Sequence, residues 1–493
     1  MRVITGIFVA LAAVLSLAAA PRQSTALAAP DTPEEQKIVQ IVLYPAAEPR
    51  PALKYQLLPP FLERRPGNAA VWWNRLPAER NGFFNELYAE NGPWDKAEKW
   101  MAIPIGDPRE KAYREKEFAN DIGMFRSGGI FRDIERAARF ESCDWEQPIR
   151  EGNYIAMTLA EIQGSRSYAR LLTAKAHLEI VEGKYDEAVR TLQCGYAEAR
   201  HVSQSQTIVS GLVGVTITLI MSNQVQQFIQ QPDAPNLYWA LSTLPRPFVD
   251  MRPGAEAESN ILYLQFPELR DLDKKKLSPD EWRELLKRIV DNLCQNFGAW
   301  SGQGPVPTRQ AGMAAFTMGY PGAKRYLIDR GRSAAEVEAM PVAQVILLYT
   351  VQVYNELSDE QFKWFFLPAS EASDGPRRAE KSFIEAVRAK REIIPLASLL
   401  LPASTTAKSA ETRTEWVVAK LRIFEAMRLY AATHDGRWPD HLTDITEVPI
   451  PPNPFDGKSF VYERQGSKAI LTSEHGPRGE PWRHEITLMP KAK

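Results

Sequence analysis

The chain has 493 residues and carries 60 Lys plus Arg against 61 Asp plus Glu, a near-neutral balance that leaves no basic excess for nucleic-acid binding. An apolar content of 44%, with aromatics at 10%, excludes a disordered chain and provides for a packed core. Length allows about two to four domains.

The first segment carries an export signal. Arg2 supplies a positive charge, and Val3 to Ala20 is uncharged and almost wholly apolar. Ala26-Leu27-Ala28 comes next, with the small-x-small pattern that a signal peptidase accepts, which places the mature start at Ala29. The alternative is an uncleaved anchor, because roughly 18 apolar residues can just span a bilayer. Removing Arg2 and Arg22 with the leader brings the net charge to about −3. Cys143, Cys194 and Cys294 fit no zinc or redox spacing. In an exported chain two of them could oxidise; three buried thiols is the other reading.

Helical patterns dominate the chain beyond the leader. Tyr168 to Arg200 predicts a hairpin. Leu171, Ala174, Leu178 and Val181 form one stripe, Gly183 ends it, and Asp186 starts a second helix with Ala188, Leu192, Tyr196 and Ala199 inward. Thr207 to Met221 is strongly apolar, but Ser210, Thr216 and Thr218 interrupt it. It is predicted to be a buried central helix, continuing with Val225, Phe228 and Ile229 inward. Ser278, Pro279 and Glu281 make a capping box, Leu277 and Trp282 a hydrophobic staple, and Trp282, Leu286, Ile289 and Leu293 an apolar face. Ser333 with Glu336, and Ser358 with Gln361, predict two more helix starts, the latter stapled by Leu357 and Phe362. Ser301 to Gly312, Pro368 to Arg377 and Pro402 to Glu411 are predicted to be linkers.

Beyond residue 412 the pattern changes. Glu415 to Thr433 predicts a helix with Val417, Leu421 and Phe424 inward and Arg422 and Arg428 outside, ended by His434-Asp435-Gly436. Ser459 to Tyr462, Lys468 to Thr472 and Glu485 to Met489 alternate as short strands.

Three resemblances accompany these patterns. Ala176, Gly183, Tyr185, Ala188 and Leu192 resemble the tetratricopeptide pattern, and Pro66-Gly67-Asn68-Ala69 with Trp72 looks like the junction of another such unit. With no tandem array, this implies helical-hairpin packing and not a solenoid. Leu429-Tyr430-Ala431, Trp438-Pro439-Asp440 and Asn453-Pro454-Phe455-Asp456-Gly457 with Phe460 and Tyr462 resemble the globular part of type II secretion pseudopilins. The membrane-helix hallmark of that family is missing. The likeness implies a calcium loop in some members, for which Asp444, Asn453 and Asp456 would supply oxygens; a turn-forming Asp-Gly is the alternative. Cys143-Asp144-Trp145, Ala188 to Val202, Gln231-Pro232, Asn236 to Leu241, Leu244-Pro245-Arg246-Pro247 and Met340 to Gln344 resemble a set of uncharacterised exported bacterial proteins, which implies no activity.

A search for chemistry finds no HExxH, G-x-S-x-G or phosphate loop. His434-Asp435 and Asp440-His441 form the one clustered set of histidines, which a helix end leading into a turn also explains. Trp72-Trp73, Phe83-Phe84 and Trp364-Phe365-Phe366 are core or groove aromatics; in each run one ring must face away from the core and is available to a contact.

The expected protein is mainly α. Residues 1–28 are a signal peptide, 29–250 a helical lobe with the tetratricopeptide-like hairpin, 251–405 a second helical lobe, and 412–493 a small α+β pseudopilin-like cap. The expected function is that of an exported, non-enzymatic interaction or scaffold protein of the bacterial cell envelope, periplasmic or extracellular, with a protein partner. Membrane contact is expected only if residues 3–20 stay uncleaved. No catalytic, metal or cofactor residue is singled out, and the competing expectation is a hydrolase acting on envelope polymers.

Overall fold

The computed structural model describes residues 39–490, apart from 152–153, 155–156, 158, 298–308, 373, 402–403 and 477–479. The leader and most of the 301–312 segment therefore lie outside the described residues. The fold is mainly helical with a small sheet region.

Helix α1 (Ala70–Glu79) comes after strand β2 (Arg65–Asn68), and α2 (Gly129–Ala138) precedes strand β3 (Phe140–Ser142). The two strands pair in parallel, Arg65 opposite Phe140. This places α1 and α2 side by side. Strand β1 (Val39–Leu43) lies apart from them and joins the C-terminal sheet.

The hairpin expected around residue 183 is present as α3 (Ala160–Val181) and α4 (Tyr185–Ser203), joined through Gly183 at φ +70°. Only glycine enters that left-handed region without strain, so the turn is fixed by its sequence. Leu171, Ala174, Leu178, Ala188, Leu192, Tyr196 and Ala199 are all buried. Helix α5 (Ile208–Ile229) packs on α3 and α4. It is the one described helix long and apolar enough to cross a membrane, yet 78% of its apolar window is buried in protein. Thr207 caps it by accepting from the Ser210 amide at 3.1 Å. A Cβ on Gly214 would stand 2.8 Å from the Ala199 carbonyl, so glycine permits the close approach of α5 to α4.

Helices α6 (Arg252–Ser259), α7 (Pro279–Phe297), α8 (Arg309–Asp329), α9 (Val342–Phe362) and α10 (Gly375–Arg388) come next. The capping box of α7 is formed: the Ser278 amide donates to Glu281 at 2.7 Å and the Glu281 amide to Ser278 Oγ at 3.4 Å. Trp282, Leu286, Ile289 and Leu293 are buried as the stripe requires. Ser333 likewise caps Glu336, at 3.1 Å. The start expected at Ser358 does not exist. Helix α9 runs through it, and Ser358 Oγ donates instead to the Ser259 carbonyl at 3.1 Å, while Gln361 donates to the Ala379 carbonyl at 3.0 Å. Polar groups that resemble a cap in sequence here tie α9 to its neighbours. The 368–377 segment, expected as a linker, holds a short helix at Ala369–Ala372 and the start of α10.

The last helix, α11 (Ser404–Thr433), is longer than expected and takes in residues 404–411 of the segment predicted to be a linker. Ala407, Lys408 and Glu411 are already buried there. After it come β4 (Val461–Gln465), β5 (Lys468–Ser473) and β6 (Trp482–Leu488). The sheet order is β1-β6-β5-β4, with β1 parallel to β6 (Ile41 opposite Ile486) and the other pairs antiparallel. A strand from the beginning of the described chain thus completes the C-terminal sheet. Trp416 and Phe424 of α11 meet Phe460, Trp482 and His484 of the sheet region through ring contacts.

Arg422 and Arg428 are not outside but buried, at 7% and 0% exposure. Arg428 donates to the carbonyls of Tyr44 at 3.0 Å and Ala234 at 2.7 Å and pairs with Glu425 at 2.8 Å. Glu425 accepts from the Leu237 amide at 3.0 Å. A buried charge is costly unless paired and hydrogen-bonded, and Arg428 meets both conditions.

Candidate functional site

Glu411 and Glu415 stand one turn apart on α11, so both carboxylates leave the same face. They meet the segment entering α6: the Met251 amide donates to Glu411 at 2.9 Å and the Phe248 amide to Glu415 at 2.8 Å. Lys408, one turn earlier and 8% exposed, donates to Glu411 and to the Phe365 carbonyl. These bonds hold three distant pieces of chain around a cleft of about 320 Å³, lined also by Arg246, Arg252, Phe366, Leu367, Ser370 and Pro454.

The charges in this cleft differ in their freedom. Arg252 forms a two-pronged pair with Asp250, at 2.8 and 2.7 Å. Burial pushes the Glu415 carboxyl up, against the pull of the Phe248 amide and Arg246. Arg246 is exposed at the cleft wall. Behind it Arg422 is buried, donates to Tyr238 Oη at 2.8 Å, and leaves its Nε unpartnered. Burial disfavours the Arg422 cation, against the pull of Tyr238, and the like charge of Arg246 adds to the effect of burial. Among the described residues no carboxylate pairs with Arg422. The cleft wall therefore offers the Arg246 guanidinium, a group suited to a carboxylate. Beside it stand Phe366, 56% exposed, and Leu367, 39% exposed.

Two of the three aromatic runs place one ring deeper than its neighbour, and the third does not. Trp73 is buried and Trp72 half-buried; Phe365 is buried and Phe366 exposed at the cleft. Both Phe83 and Phe84 are half-buried.

The clustered histidines do not converge. His434 stacks on Tyr430, with ring centroids 3.8 Å apart, and His441 takes part in a capping box with Asp444 at a short 3-10 turn. The oxygens expected for a calcium loop are likewise dispersed. Asp444 accepts from the Asp440 and His441 amides, while Asn453 and Asp456 accept from Phe455 and Lys458, as turn residues do. Asp456, Glu474 and His475 lie within 4.8 Å of one another. His475 already bonds Asp456 at 2.9 Å, and the Lys458 ammonium bonds Glu474 at 2.7 Å, which is the arrangement of a surface ion cluster.

Two other histidines are structural. His201 accepts from the Trp73 indole at its Nδ1 (3.1 Å) and faces the Phe140 carbonyl through Nε2 (2.9 Å), which fixes a neutral tautomer. Burial lowers its pKa to about 4, and that of His177 likewise. Cys143 and Cys194 are free and buried, and burial pushes both thiols up, so neither is a ready nucleophile.

Sequence reasoning missed the cleft because its residues come from four separated stretches. Two signals bordered it: the Leu244 to Pro247 stretch and the Trp364 to Phe366 run. No family model matches the chain, and no curated protein or solved structure matches it.

Proposed function

We propose that the chain is an exported, non-enzymatic interaction protein of the bacterial cell envelope, built as a two-lobed helical body with a C-terminal α+β module. In this reading the cleft between α6, the Phe365–Ser370 segment and α11 grips a segment of a protein partner that presents a carboxylate beside an apolar side chain. The observation that carries it is the exposed Arg246 guanidinium at the cleft wall, next to the exposed Phe366 and Leu367. Exposed apolar side chains rimmed by charge are what a binding surface needs. Glu411 and Glu415 accept from backbone amides, so they serve the architecture of the cleft. The helix-and-sheet arrangement of the C-terminal module supports its likeness to the pseudopilin globular part.

A photo-crosslinking residue at Phe366, introduced in the producing bacterium, tests the reading. A discrete adduct in the envelope fraction, lost in Arg246→Glu, is expected. Absence of an adduct, or one indifferent to Arg246, overturns it. N-terminal sequencing of the same fraction should begin near Ala29; recovery of Met1 would replace the exported form with an anchored one.

One observation favours the hydrolase alternative. Glu415 is held towards its protonated form by burial, as a general acid requires, and a second carboxylate, Glu411, stands one turn away with Lys408 bonded to it. Glu415→Gln separates the two readings: crosslinking survives it under the binding reading, whereas hydrolysis of an envelope polymer would be lost.

A further inference from the structure

A second surface lies far from this cleft in sequence, among residues 61–65 and 129–142. A 3-10 turn at Phe61–Glu63 leaves Phe61 74% and Leu62 93% exposed. The next residues are Arg64 and Arg65, both exposed. Arg65 shares an open hollow with Arg132, Arg136 and Arg139 of the α2–β3 corner. The carboxylates at this hollow are Glu135 and Glu63, and both pair with Arg139. The pair with Glu63 also ties the Phe61–Glu63 turn to the arginines. Among the described residues no carboxylate pairs with Arg65, Arg132 or Arg136. Arg136 is held 3.9 Å over the Trp72 ring, and Arg75 lies 4.8 Å over the same ring, so the guanidiniums are positioned and not merely solvated.

A protruding apolar pair framed by unpaired arginines is out of place in water. Leucine and phenylalanine at a tip gain by entering hydrocarbon, and arginine beside them gains by meeting phosphate. The exposed apolar pair sits on a three-residue turn that Glu63 ties to Arg139 of the arginine-lined hollow, so apolar tip and cations belong to one face, the charge and apolar complement of an anionic bilayer surface. We propose that this face docks on a bilayer containing anionic lipid, with Phe61 and Leu62 among the acyl chains and Arg65, Arg132 and Arg136 at the headgroup phosphates. The contact is independent of the apolar segment at residues 3–20 and of the cleft.

The test uses the full chain and a local readout, so that any insertion of residues 3–20 does not mask the result. Amide exchange is measured at residues 59–66 and 129–142 with vesicles of phosphatidylcholine alone, vesicles with about 30% phosphatidylglycerol, and inorganic phosphate without lipid. Protection of both stretches is expected only on the anionic vesicles, and it should weaken at 0.5 M salt because the collar is solvent-facing. Each arginine near the surface contributes roughly five-fold in partitioning, so Arg132→Glu with Arg136→Glu should lower the protected fraction at least ten-fold. Phe61→Ser with Leu62→Ser should lower it by a similar factor. Unchanged circular dichroism confirms that the variants fold. Equal protection on neutral vesicles, protection by phosphate alone, or protection that survives both double variants would each overturn the proposal.

Discussion

Helices α3 to α5 and helix α11 are both buried, but α11 buries a larger share of charged side chains. In the first group the buried side chains are mostly apolar, from Leu171 to Phe228, and the chain neighbours pack on one another in order. Helix α11 buries Lys408, Glu411, Lys420, Arg422, Glu425 and Arg428 together with Trp416, Leu421 and Phe424. Its charges reach backbone groups far away in sequence: Arg428 to Tyr44 and Ala234, Glu425 to Leu237, Glu415 to Phe248 and Glu411 to Met251. The hairpin is a packing unit, whereas α11 is a connector that satisfies irregular segments which have no ladder of their own. The cleft arises where those connections converge.

This difference makes a direct prediction. Arg428→Ala should destabilise the protein by about 3–5 kcal/mol, since it strands Glu425 in the interior without its cation. Leu192→Ala in the hairpin should cost about 3 kcal/mol, through lost transfer energy and a cavity. Urea denaturation of both variants checks the order. If Arg428→Ala proved the milder of the two, the connector role would be wrong, and the ion pair would be no more than a passenger in a packed core. A double variant with Glu425→Gln should recover part of the Arg428 loss, because no lone carboxylate then remains.

The same contrast explains which features are legible in the sequence. The α3–α4 turn is legible because Gly183, apolar spacing and a short loop agree. The start of α7 is legible because Ser278 and Glu281 bond each other within four residues. Helix α11 starts earlier than its periodicity indicates, and Arg422 and Arg428 face inward although periodicity assigns charged residues to the outside. The partners of Arg428 are carbonyls of residues 44 and 234, which no local pattern reveals. Ser358 misleads for the same reason: its bond goes to Ser259 and not to its own helix. The joining of β1 to β6 brings together residues over 400 apart in sequence, beyond what alternation within a strand can indicate.

Acid offers a milder way to probe the hairpin side. His201 and His177 are held neutral, with pKa values of about 4 against an ordinary 6.5. Between those values the unfolded chain binds more protons than the fold, so stability falls as pH drops from 6.5 towards 4. Glu258, pushed up to about 7, acts in the other direction: its contribution is complete below pH 4.5 and is lost as pH rises through 7. Comparing pH 7 with pH 4.5, His201→Gln should reduce the acid loss by about 2 kcal/mol. An unaltered acid slope would mean that His201 is protonated in the fold, against the bond its Nδ1 accepts from Trp73.

The smallest effect concerns a connector charge on α11 that has a neutral partner. Lys420 is 7% exposed and donates to Gln226 Oε1 at 2.8 Å. Its ammonium lies 5.5 to 5.9 Å from the ring centres of Trp416, Phe424 and Trp482. No described carboxylate forms an ion pair with it. Burial lowers its pKa from 10.5 to about 7. Between pH 7 and 10.5 the unfolded chain therefore binds more protons than the fold, so this lysine favours folding increasingly as pH rises through that window. Below pH 7 its ammonium is charged inside the protein and the full burial cost applies, offset in part by the aromatic faces. Lys420→Met keeps the stem and removes the charge. It should raise stability by about 1–2 kcal/mol at pH 6, with the gain shrinking towards pH 10 as the wild-type lysine becomes neutral. Melting curves at the two pH values distinguish the outcomes. A loss of stability at pH 6 would show that the three rings and Gln226 outweigh desolvation, and Lys420 would then join Arg428 as a charge that holds α11 in place.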